Sequence, residues 1–557
     1  MATPKIQGNI QGLKKSQLKR LGNLWRRRTT PQKVVSSDTA RAVCQLSAEL
    51  RRQIGLLINR AGNPQQIVVG DAKGLLLPAL PRQRGARQRL RGLRLVHTHL
   101  ADEPLSEDDL ADLALLRLDL VASLSVGPEG LPGRVRLAHL RPGTGQDGDG
   151  IELLEADHMS RLSFDCAAVI QALEEELARD QAGFRVADGQ DRALLVSVSN
   201  RPRWALEESL AELSELSRSA GVEVLGRLIQ QVKRVDPTFL LGRGKLSQVA
   251  IQALQTGANL LLFDQDLSPS QARNLARLTE LRIIDRTQLI LDIFAQRARS
   301  HEGKLQVEMA QLRHRLPHLA DKDNALSRLT GGIGARGPGE TKLEIDRRRV
   351  RDRIARLSRD LEKLKRQRAG RRKRRQRSKM PVISIVGYTN AGKSTLLNTL
   401  TQSRIGTENR LFATLDPTSR RLKLPRDQEV IITDTVGFIR RLPGELIEAF
   451  QATLEELTEA DLLIHLVDAV SPGAEDRIEV VERLLDRLGL QSMPRLTVFN
   501  KTDLADPEKL ASLVQRRQGL AVCALNKASL LPLVQKLEEY LARLSPARTE
   551  LEEERPA

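Results

Sequence analysis

The sequence predicts a multidomain α/β chain, and three stretches carry that prediction. At 381–400 a short apolar strand runs through a glycine turn into a helix. Between Arg192 and His301 strands alternate with helices, the pattern of a parallel sheet. From about 304 to 370 the chain is almost purely helical and charged, with a single glycine-rich break. Two helices flanking such a break fold most simply as an antiparallel hairpin. A further mixed α/β region precedes all three.

Bulk properties set the frame. At 557 residues the chain is long for one core, so three or four domains are expected. Hydrophobic residues make up 40% and charged residues 29%, as in a globular protein, and with 2% aromatics the cores are built from Leu, Ile, Val and Ala. Lys and Arg number 89 against 70 Asp and Glu, and the net charge of +19 points to an anionic partner. The three cysteines, Cys44, Cys166 and Cys523, lie far apart without metal-ligand spacing, which fits a reducing compartment. No apolar run reaches the roughly 20 residues of a membrane span, and no signal-peptide core opens the chain. The expectation is a cytoplasmic monomer without an integral membrane segment, peripheral membrane attachment being left open.

Taken in order, residues 1–30 are basic, with a helix from Lys14 ending at Arg26-Arg27-Arg28. From about 48 to 142 the pattern is mixed α/β. Gly55–Asn59 and Gln66–Gly70 flank a turn-rich stretch and read as a hairpin. Leu93–His99 reads as a strand, Asp108–Leu120 as a helix, and 120–126 and 133–139 as further strands, before a Gly/Asp linker at 143–150. His97 and His99 share one face of their strand, with Ser106, Asp108 and Asp109 shortly after. The pattern resembles the zinc ligands of JAB-type metalloproteases. The gap from His99 to Ser106 is shorter than in that family, and no general-base glutamate stands upstream. A structural module is therefore the preferred reading, and a metal-dependent activity within 48–142 the alternative.

In the second region Ala193–Val198 opens as a strand, Trp204–Ser219 follows as an amphipathic helix, and Val222–Leu225 is the next strand. Leu241-Gly-Arg-Gly-Lys245 starts another helix. Its spacing is wrong for a phosphate loop, although a backbone nest with two cations could still meet an anion. Leu260–Asp264 and Arg282–Asp285 complete the strands, with a helix at 268–278 between them.

The helical region breaks at 331–339, where five glycines and a proline stand in nine residues. Beyond it Leu343, Val350, Ile354, Leu357, Leu361 and Leu364 recur at alternating three and four spacing, a coiled-coil seam in which Arg347 fills one position. Arg347, Arg348 and Arg349 add charge. The run Arg371, Arg372, Lys373, Arg374, Arg375 continues to Lys379, with seven cations in nine residues. Such density favours contact with a nucleic-acid backbone through counterion release, and the lack of aromatics argues against base reading.

The most informative stretch is Gly387-Tyr388-Thr389-Asn390-Ala391-Gly392-Lys393-Ser394-Thr395, after strand Val382–Val386 and before Leu396, Leu397 and Leu400 at helical spacing. Glycines allow a tight turn whose N–H groups point into one concavity, and the helix dipole adds positive potential. Lys393 then reaches the β- and γ-phosphates, and the Ser394 hydroxyl ligates Mg²⁺. Phe412-Ala413-Thr414-Leu415-Asp416 lies between polar turns, and Thr414 is expected to complete Mg²⁺ coordination when a γ-phosphate is present. Strand Glu429–Asp434 ends in Asp434-Thr435-Val436-Gly437, 41 residues after Lys393. Asp434 there holds Mg²⁺ through water, and the Gly437 N–H reaches the γ-phosphate. Lys393, Thr414 and Gly437 form the expected catalytic set. His465, inside strand Leu462–Asp468, reads as a packed core residue. Asn500-Lys501-Thr502-Asp503 ends another strand and selects the base. The Asp503 carboxylate accepts from guanine N1–H and its amine, whereas adenine would leave it unpaired. Asn500 holds N7 and braces the loops, and Lys501 lies along the base plane. In Cys523-Ala524-Leu525 the Ala524 N–H is expected to meet the guanine oxygen. These motifs, each at a strand end, predict a GTP-binding domain with Mg²⁺ as cofactor.

That domain resembles a translation-factor-class GTPase, and the combination of segments resembles the HflX family within the Obg-HflX-like group. The stretches that carry the likeness are Phe412–Thr418, Asp434–Ile439, Gly331–Thr341 and Leu241–Lys245, and it spans about 193–545. The resemblance implies an N-terminal α/β domain at 191–300, a helical hairpin with basic linker at 301–379, a Ras-like GTPase domain at 380–545 and a charged tail at 546–557. Residues 1–190 form an extension of unknown role. It further implies that the protein binds the large ribosomal subunit and its RNA, that its GTPase is stimulated there, and that it dissociates or rescues stalled or stressed ribosomes. The glycine loop with Arg336 would enter the peptidyl-transferase region, and some members also remodel RNA with ATP. Ras-type enzymes place a glutamine after Asp-x-x-Gly, whereas this chain has Phe438, so slow intrinsic hydrolysis is expected. The competing expectation is a nucleotide-gated RNA-binding or assembly scaffold with little turnover.

Overall fold

The computed structural model describes residues 6–553 except 78–79, 81–89, 142–149, 183–190, 280, 320–341, 377–379, 402–410, 413–417, 441–443, 445, 447–454 and 472. The chain forms two compact units, residues 1–214 with 221–285, and 215–220 with 286–557.

The first unit holds two sheets. Strands β1 (Ile6–Gly8), β2 (Ile54–Asn59), β3 (Pro64–Val69), β4 (Leu93–His99), β5 (Leu120–Val126), β6 (Pro132–Leu140) and β7 (Ile151–Ala156) make a seven-stranded sheet in the order β1-β3-β2-β4-β5-β6-β7. The expected hairpin is present as the antiparallel pair β2–β3. Helices α1 (Lys15–Asn23), α2 (Ser37–Leu50), α3 (Glu107–Leu115) and α4 (Cys166–Ala182) accompany it. Both α2 and α3 begin at a serine whose side chain accepts the backbone N–H three residues on.

The second sheet is entirely parallel, as the alternation of strands and helices predicts. Its strands β8 (Arg192–Ser199), β9 (Glu223–Gln231), β10 (Leu260–Phe263) and β11 (Arg282–Asp285) lie in the order β11-β10-β8-β9. Helices α5 (Arg203–Ser219), α6 (Arg243–Thr256) and α7 (Pro269–Leu278) connect them. All four residues of β10 are buried, as a strand covered on both faces requires. The expected boundary at 190/191 does not separate two cores. Ala111 and Leu115 of α3 bury in one cluster with Leu194, Val249 and Leu261, and Leu254 of α6 joins Leu57, Leu113 and Leu173. The apolar faces of α3 and α4 are closed by α6, so the two sheets share their packing.

The second unit begins with α8 (Arg286–Arg297), α9 (His301–His318) and α10 (Lys342–Gln376). Helices α9 and α10 pack on each other, and Arg353 grips Glu308 through both oxygens at 2.8 and 2.9 Å. Seam residue Leu357 is fully buried, Val350, Ile354, Leu361 and Leu364 are half-buried, and the intervening positions are mostly exposed. The basic run 371–376, expected as linker, is instead the last turns of α10, because arginine and lysine are strong helix formers. The glycine loop and Arg336 lie outside the described residues.

The rest is a six-stranded sheet of β12 (Val382–Gly387), β13 (Thr418–Lys423), β14 (Glu429–Asp434), β15 (Leu462–Asp468), β16 (Arg495–Asn500) and β17 (Leu520–Ala521). The order is β13-β14-β12-β15-β16-β17, and only the edge strand β13 runs antiparallel. Helices α11 (Lys393–Thr401), α12 (Ala474–Arg487), α13 (Pro507–Arg517) and α14 (Leu531–Glu553) complete it, and α14 carries the helix into the expected tail. Leu396 and Leu397 of α11 and Leu533 and Leu537 of α14 bury against Ile383, Ile385, Ile464 and Val498. This core sets the carboxyl ends of β14, β12 and, beyond β15, β16 along one sheet, and the expected motifs at 387–395, 434–437, 500–503 and 523–525 leave from those ends or from the loop after β17.

Candidate nucleotide site

The phosphate loop is shaped by close backbone approach. A Cβ on Gly387 would lie 2.2 Å from the Leu466 carbonyl oxygen on β15, and one on Gly392 2.3 Å from Asn500 Nδ2. Asn390 between them adopts φ +62°. The turn delivers Lys393 to the first position of α11, where it is buried and donates to the carbonyls of Gly387 at 3.2 Å and Tyr388 at 2.9 Å. Burial pulls its ammonium down to about 8, against the opposing charge of Asp434. The Ser394 hydroxyl donates to Asp434 Oδ2 at 2.6 Å. A hydroxyl and a carboxylate in contact at the foot of the loop are the oxygen donors that a hard cation such as Mg²⁺ takes.

The segment after β14 is tied directly to this loop. Phe438 N–H donates to the Gly387 carbonyl at 3.1 Å, and Thr389 N–H donates to the Phe438 carbonyl at 2.8 Å. These bonds hold Gly437 so close that a Cβ there would meet Thr389 at 2.8 Å and Lys393 Nζ at 2.9 Å. Thr435 Oγ1 donates to the Ile385 carbonyl, and Val436 and Phe438 are buried. Phe438 thus packs inside, where the side chain has no role in proton transfer.

Three residues that sequence reasoning missed extend this contact. The Arg440 N–H donates to the Tyr388 hydroxyl at 2.7 Å, and the Arg477 guanidinium of α12 stands 4.8 Å from the Tyr388 ring centre. Arg286 of α8 donates to the Arg440 carbonyl at 3.1 Å. No periodicity or motif marks these partners, which lie far apart in the chain.

The end expected to select the base is clasped by Asn500. Its Nδ2 donates to the Ala391 carbonyl and its Oδ1 accepts from Ala524 N–H, both at 2.8 Å. Bracing of the loops, expected for Asn500, is therefore what it does. The Ala524 N–H, expected at the guanine oxygen, is engaged by Asn500, and a base would have to share it. Thr399 Oγ1 donates to the Ala524 carbonyl, and Ser529 caps Cys523 N–H. Lys501, at φ +63°, pairs with Asp468 Oδ2 at 2.7 Å, while Asp503 and Leu525 are exposed beside it.

Among the other expected contacts, Thr395 stands in the first turn of α11 and Thr502 N–H donates to the Val522 carbonyl. Phe412 is buried with its ring 4.6 Å from that of Phe294 in α8, rather than leaving its side chain for a ligand. Ala413, Thr414, Leu415 and Asp416 lie outside the described residues. Of the expected RNA-binding residues, Arg348 and Arg349 are exposed on α10 and Arg347 is half-buried. Arg371, Arg372, Lys373, Arg374 and Arg375 share the same helix. Among the described residues no helix is long and apolar enough to cross a membrane.

Three family models match in sequence along the chain: "GTP-binding GTPase N-terminal" at 207–295, "GTP-binding GTPase Middle Region" at 297–375 and "50S ribosome-binding GTPase" at 382–501. The GTPase HflX of Caldanaerobacter subterraneus subsp. tengcongensis is 48% identical over 367 residues, covering 66% of this chain and 82% of the relative. The GTPase HflX of Escherichia coli K12 is 47% identical over 319 residues, 57% of this chain and 75% of the relative. Among solved structures, a GTP-binding protein from Sulfolobus solfataricus in complex with GDP is 25% identical. That likeness covers 64% of this chain and 99% of that protein with a TM-score of 0.36, at which nothing structural follows from it.

Proposed function

Because the chain belongs to the HflX family of GTPases, we propose that it binds the large ribosomal subunit and uses GTP binding and hydrolysis to dissociate or rescue stalled or stressed ribosomes. The observation that carries this reading is the hydrogen-bonded junction between phosphate loop and Gly437 segment, Thr389 to Phe438 and Phe438 to Gly387. A γ-phosphate entering beside Lys393 meets that junction and must rearrange it, which converts nucleotide state into a movement of 434–440.

As a GTPase of this family, the protein cleaves GTP to GDP and phosphate. Lys393, withdrawn from the Gly387 and Tyr388 carbonyls, would hold the β- and γ-phosphates, with the amides of 390–395 around them. The Gly437 N–H would face the γ-phosphate. Ser394 directly, Asp434 through water, and Thr414 when the triphosphate is bound are the residues that would hold Mg²⁺. When bound, the ion supplies neutralisation of charge shared by the phosphate oxygens. Phe438 offers no polar group to the attacking water, so hydrolysis is slow until other groups, completed or reordered by the ribosome, orient it. At the base, Asp503 accepts from guanine N1–H and its amine, and exposed Leu525 covers the ring.

The cationic surface of α10, with Arg347, Arg348, Arg349 and the run 371–375, together with Arg336 of the glycine loop, would meet ribosomal RNA in the cytoplasm. The family description "50S ribosome-binding GTPase" at 382–501 supports that partner. The test is sedimentation with purified large subunits, paired with single-turnover hydrolysis. A GTP analogue should retain the protein on subunits better than GDP, and subunits should accelerate hydrolysis. Equal retention and equal rates would reject the proposal.

A further inference from the structure

The first unit contains a second convergence of ligand-type side chains, remote in sequence from every nucleotide motif. His97 and His99 stand on one face of β4, and Asp109 is the third residue of α3. Their donor atoms point at a common centre. His97 Nε2 lies 2.9 Å from His99 Nε2 and 3.2 Å from Asp109 Oδ1, and His99 Nε2 lies 3.5 Å from Asp109 Oδ2. Four-coordinate zinc with bonds of about 2.0–2.1 Å has tetrahedral edges of about 3.3 Å. The three separations bracket that length, the two to Asp109 being to different oxygens of its carboxylate.

Hydrogen-bond accounting points the same way. His99 Nδ1 lies 3.1 Å from the Glu103 carbonyl, which fixes the proton of the neutral ring on Nδ1 and leaves Nε2 a bare lone pair turned toward Asp109. A proton on His97 Nε2 serves one neighbour, His99 or the carboxylate, and leaves the remaining lone pairs facing each other. His97 Nδ1 is buried without a hydrogen-bond partner. A cation at the centre takes up the facing lone pairs of His97 Nε2, His99 Nε2 and the Asp109 carboxylate together, and sets the His97 ring proton on Nδ1. The outer contacts also suit a ligand set: Ser106 donates to Asp109 Oδ2 through both its N–H, at 2.8 Å, and its hydroxyl, at 2.7 Å. On the opposite face of the strand, Thr98 Oγ1 accepts from Ile54 N–H and contacts the Ser47 hydroxyl, which pins the register that presents both histidines.

We propose that His97, His99 and Asp109 form a mononuclear zinc-class site with three protein ligands and a fourth position for water. All three side chains are largely buried, with Asp109 the most accessible at 14%. The fourth position therefore opens on the Asp109 side. Across the β2–β4 ladder the residue opposite His97 is Gly55, so that strand brings no carboxylate to the site. The inference is a bound metal, independent of the ribosomal reading.

The test uses the untagged full-length chain, stripped with chelator and titrated with Co²⁺ and then Zn²⁺. One equivalent of Co²⁺ per chain should bind with the intense visible bands of a four-coordinate site, and Zn²⁺ should displace it. Asp109→Asn and His99→Gln should each weaken binding tenfold or more, with guanine-nucleotide binding as the check that the chain is folded. His314 and His318 form another histidine pair, on α9, and the double variant His314→Gln/His318→Gln should bind as the unaltered protein does. Absence of stoichiometric uptake by the unaltered protein, a measurement that needs no variant, would overturn the site. So would metal binding that survives both ligand substitutions, or that disappears with the α9 pair.

Discussion

Twice in this chain a glycine-rich turn carrying a lysine leads into a helix on a parallel sheet. In the first unit the turn is Leu241-Gly-Arg-Gly-Lys245, and in the second it is Gly387 to Lys393. The two differ in what presses on them. A Cβ added to Gly242 or Gly244 would meet nothing within 4 Å, whereas Gly387 and Gly392 are crowded by a carbonyl and an amide at 2.2 and 2.3 Å. The cations differ too. Arg243 pairs with Asp108 at 2.9 Å and Lys245 bonds Gln248, so the first turn spends its charge within the protein. Lys393 is buried against loop carbonyls beside a carboxylate. The second turn is therefore an enforced concavity, which glycine content alone does not create, and it is the one proposed to hold phosphate.

The largest test of this contrast is substitution at paired positions. Gly392→Ala must displace Asn500, and should reduce guanine-nucleotide binding at least a hundredfold by equilibrium titration. Lys393→Ala should abolish it while leaving salt-sensitive RNA binding largely intact. Gly244→Ala, in the first turn of α6, should leave binding unchanged. A comparable loss in the Gly244 variant would break the comparison.

A second test sharpens it at the base. Asp503→Asn removes a charged acceptor worth on the order of 3 kcal/mol toward guanine. GTP affinity should fall about a hundredfold, and preference should move toward xanthosine triphosphate. Unchanged selectivity in competition binding would remove Asp503 from the site.

A smaller effect is expected on stability. Gly244 is helical and uncrowded, so alanine there should raise stability by about 0.5–1 kcal/mol, read as a higher midpoint of thermal unfolding. A decrease would mean that the first turn is constrained after all.

The smallest signal is a fraction of a proton. Burial depresses the Lys393 ammonium to about 8, so above that pH the lysine is mostly neutral before a phosphate arrives. A triphosphate beside it favours the charged form and raises its pKa. Binding should then take up a proton between about pH 8 and 9.5, and none from this group near pH 7. Calorimetry in two buffers of different ionisation enthalpy reads the difference, and Lys393→Ala should remove it. By linkage, the depressed lysine also makes the nucleotide-free fold gain stability as pH rises from about 8 toward 10.5, because the unfolded chain binds more protons across that window.

Much of this architecture was legible beforehand, because its causes are local. Alternation of apolar strands and amphipathic helices announced the parallel sheet β8–β11, and three-four spacing announced the α10 seam, where Leu357 is buried. The motifs after β12, β14 and β16 were readable since each joins a strand end to a fixed short spacing. Elsewhere, local signals misled. The basic run after Arg371 looked like linker yet continues α10. The boundary at 190 looked like a domain edge, but α6 covers helices from the extension.

By itself the sequence determined the GTPase domain and the cationic helix, since spacing along one strand or one helix dictates which side chains share an end or a face. Tertiary structure alone decided that Tyr388 meets Arg440 and Arg477, that Phe412 lies on Phe294, and that Asp109 closes on two histidines of another element. Those contacts join residues on separate elements. Only the packing of buried surfaces, which no local period encodes, sets which elements become neighbours.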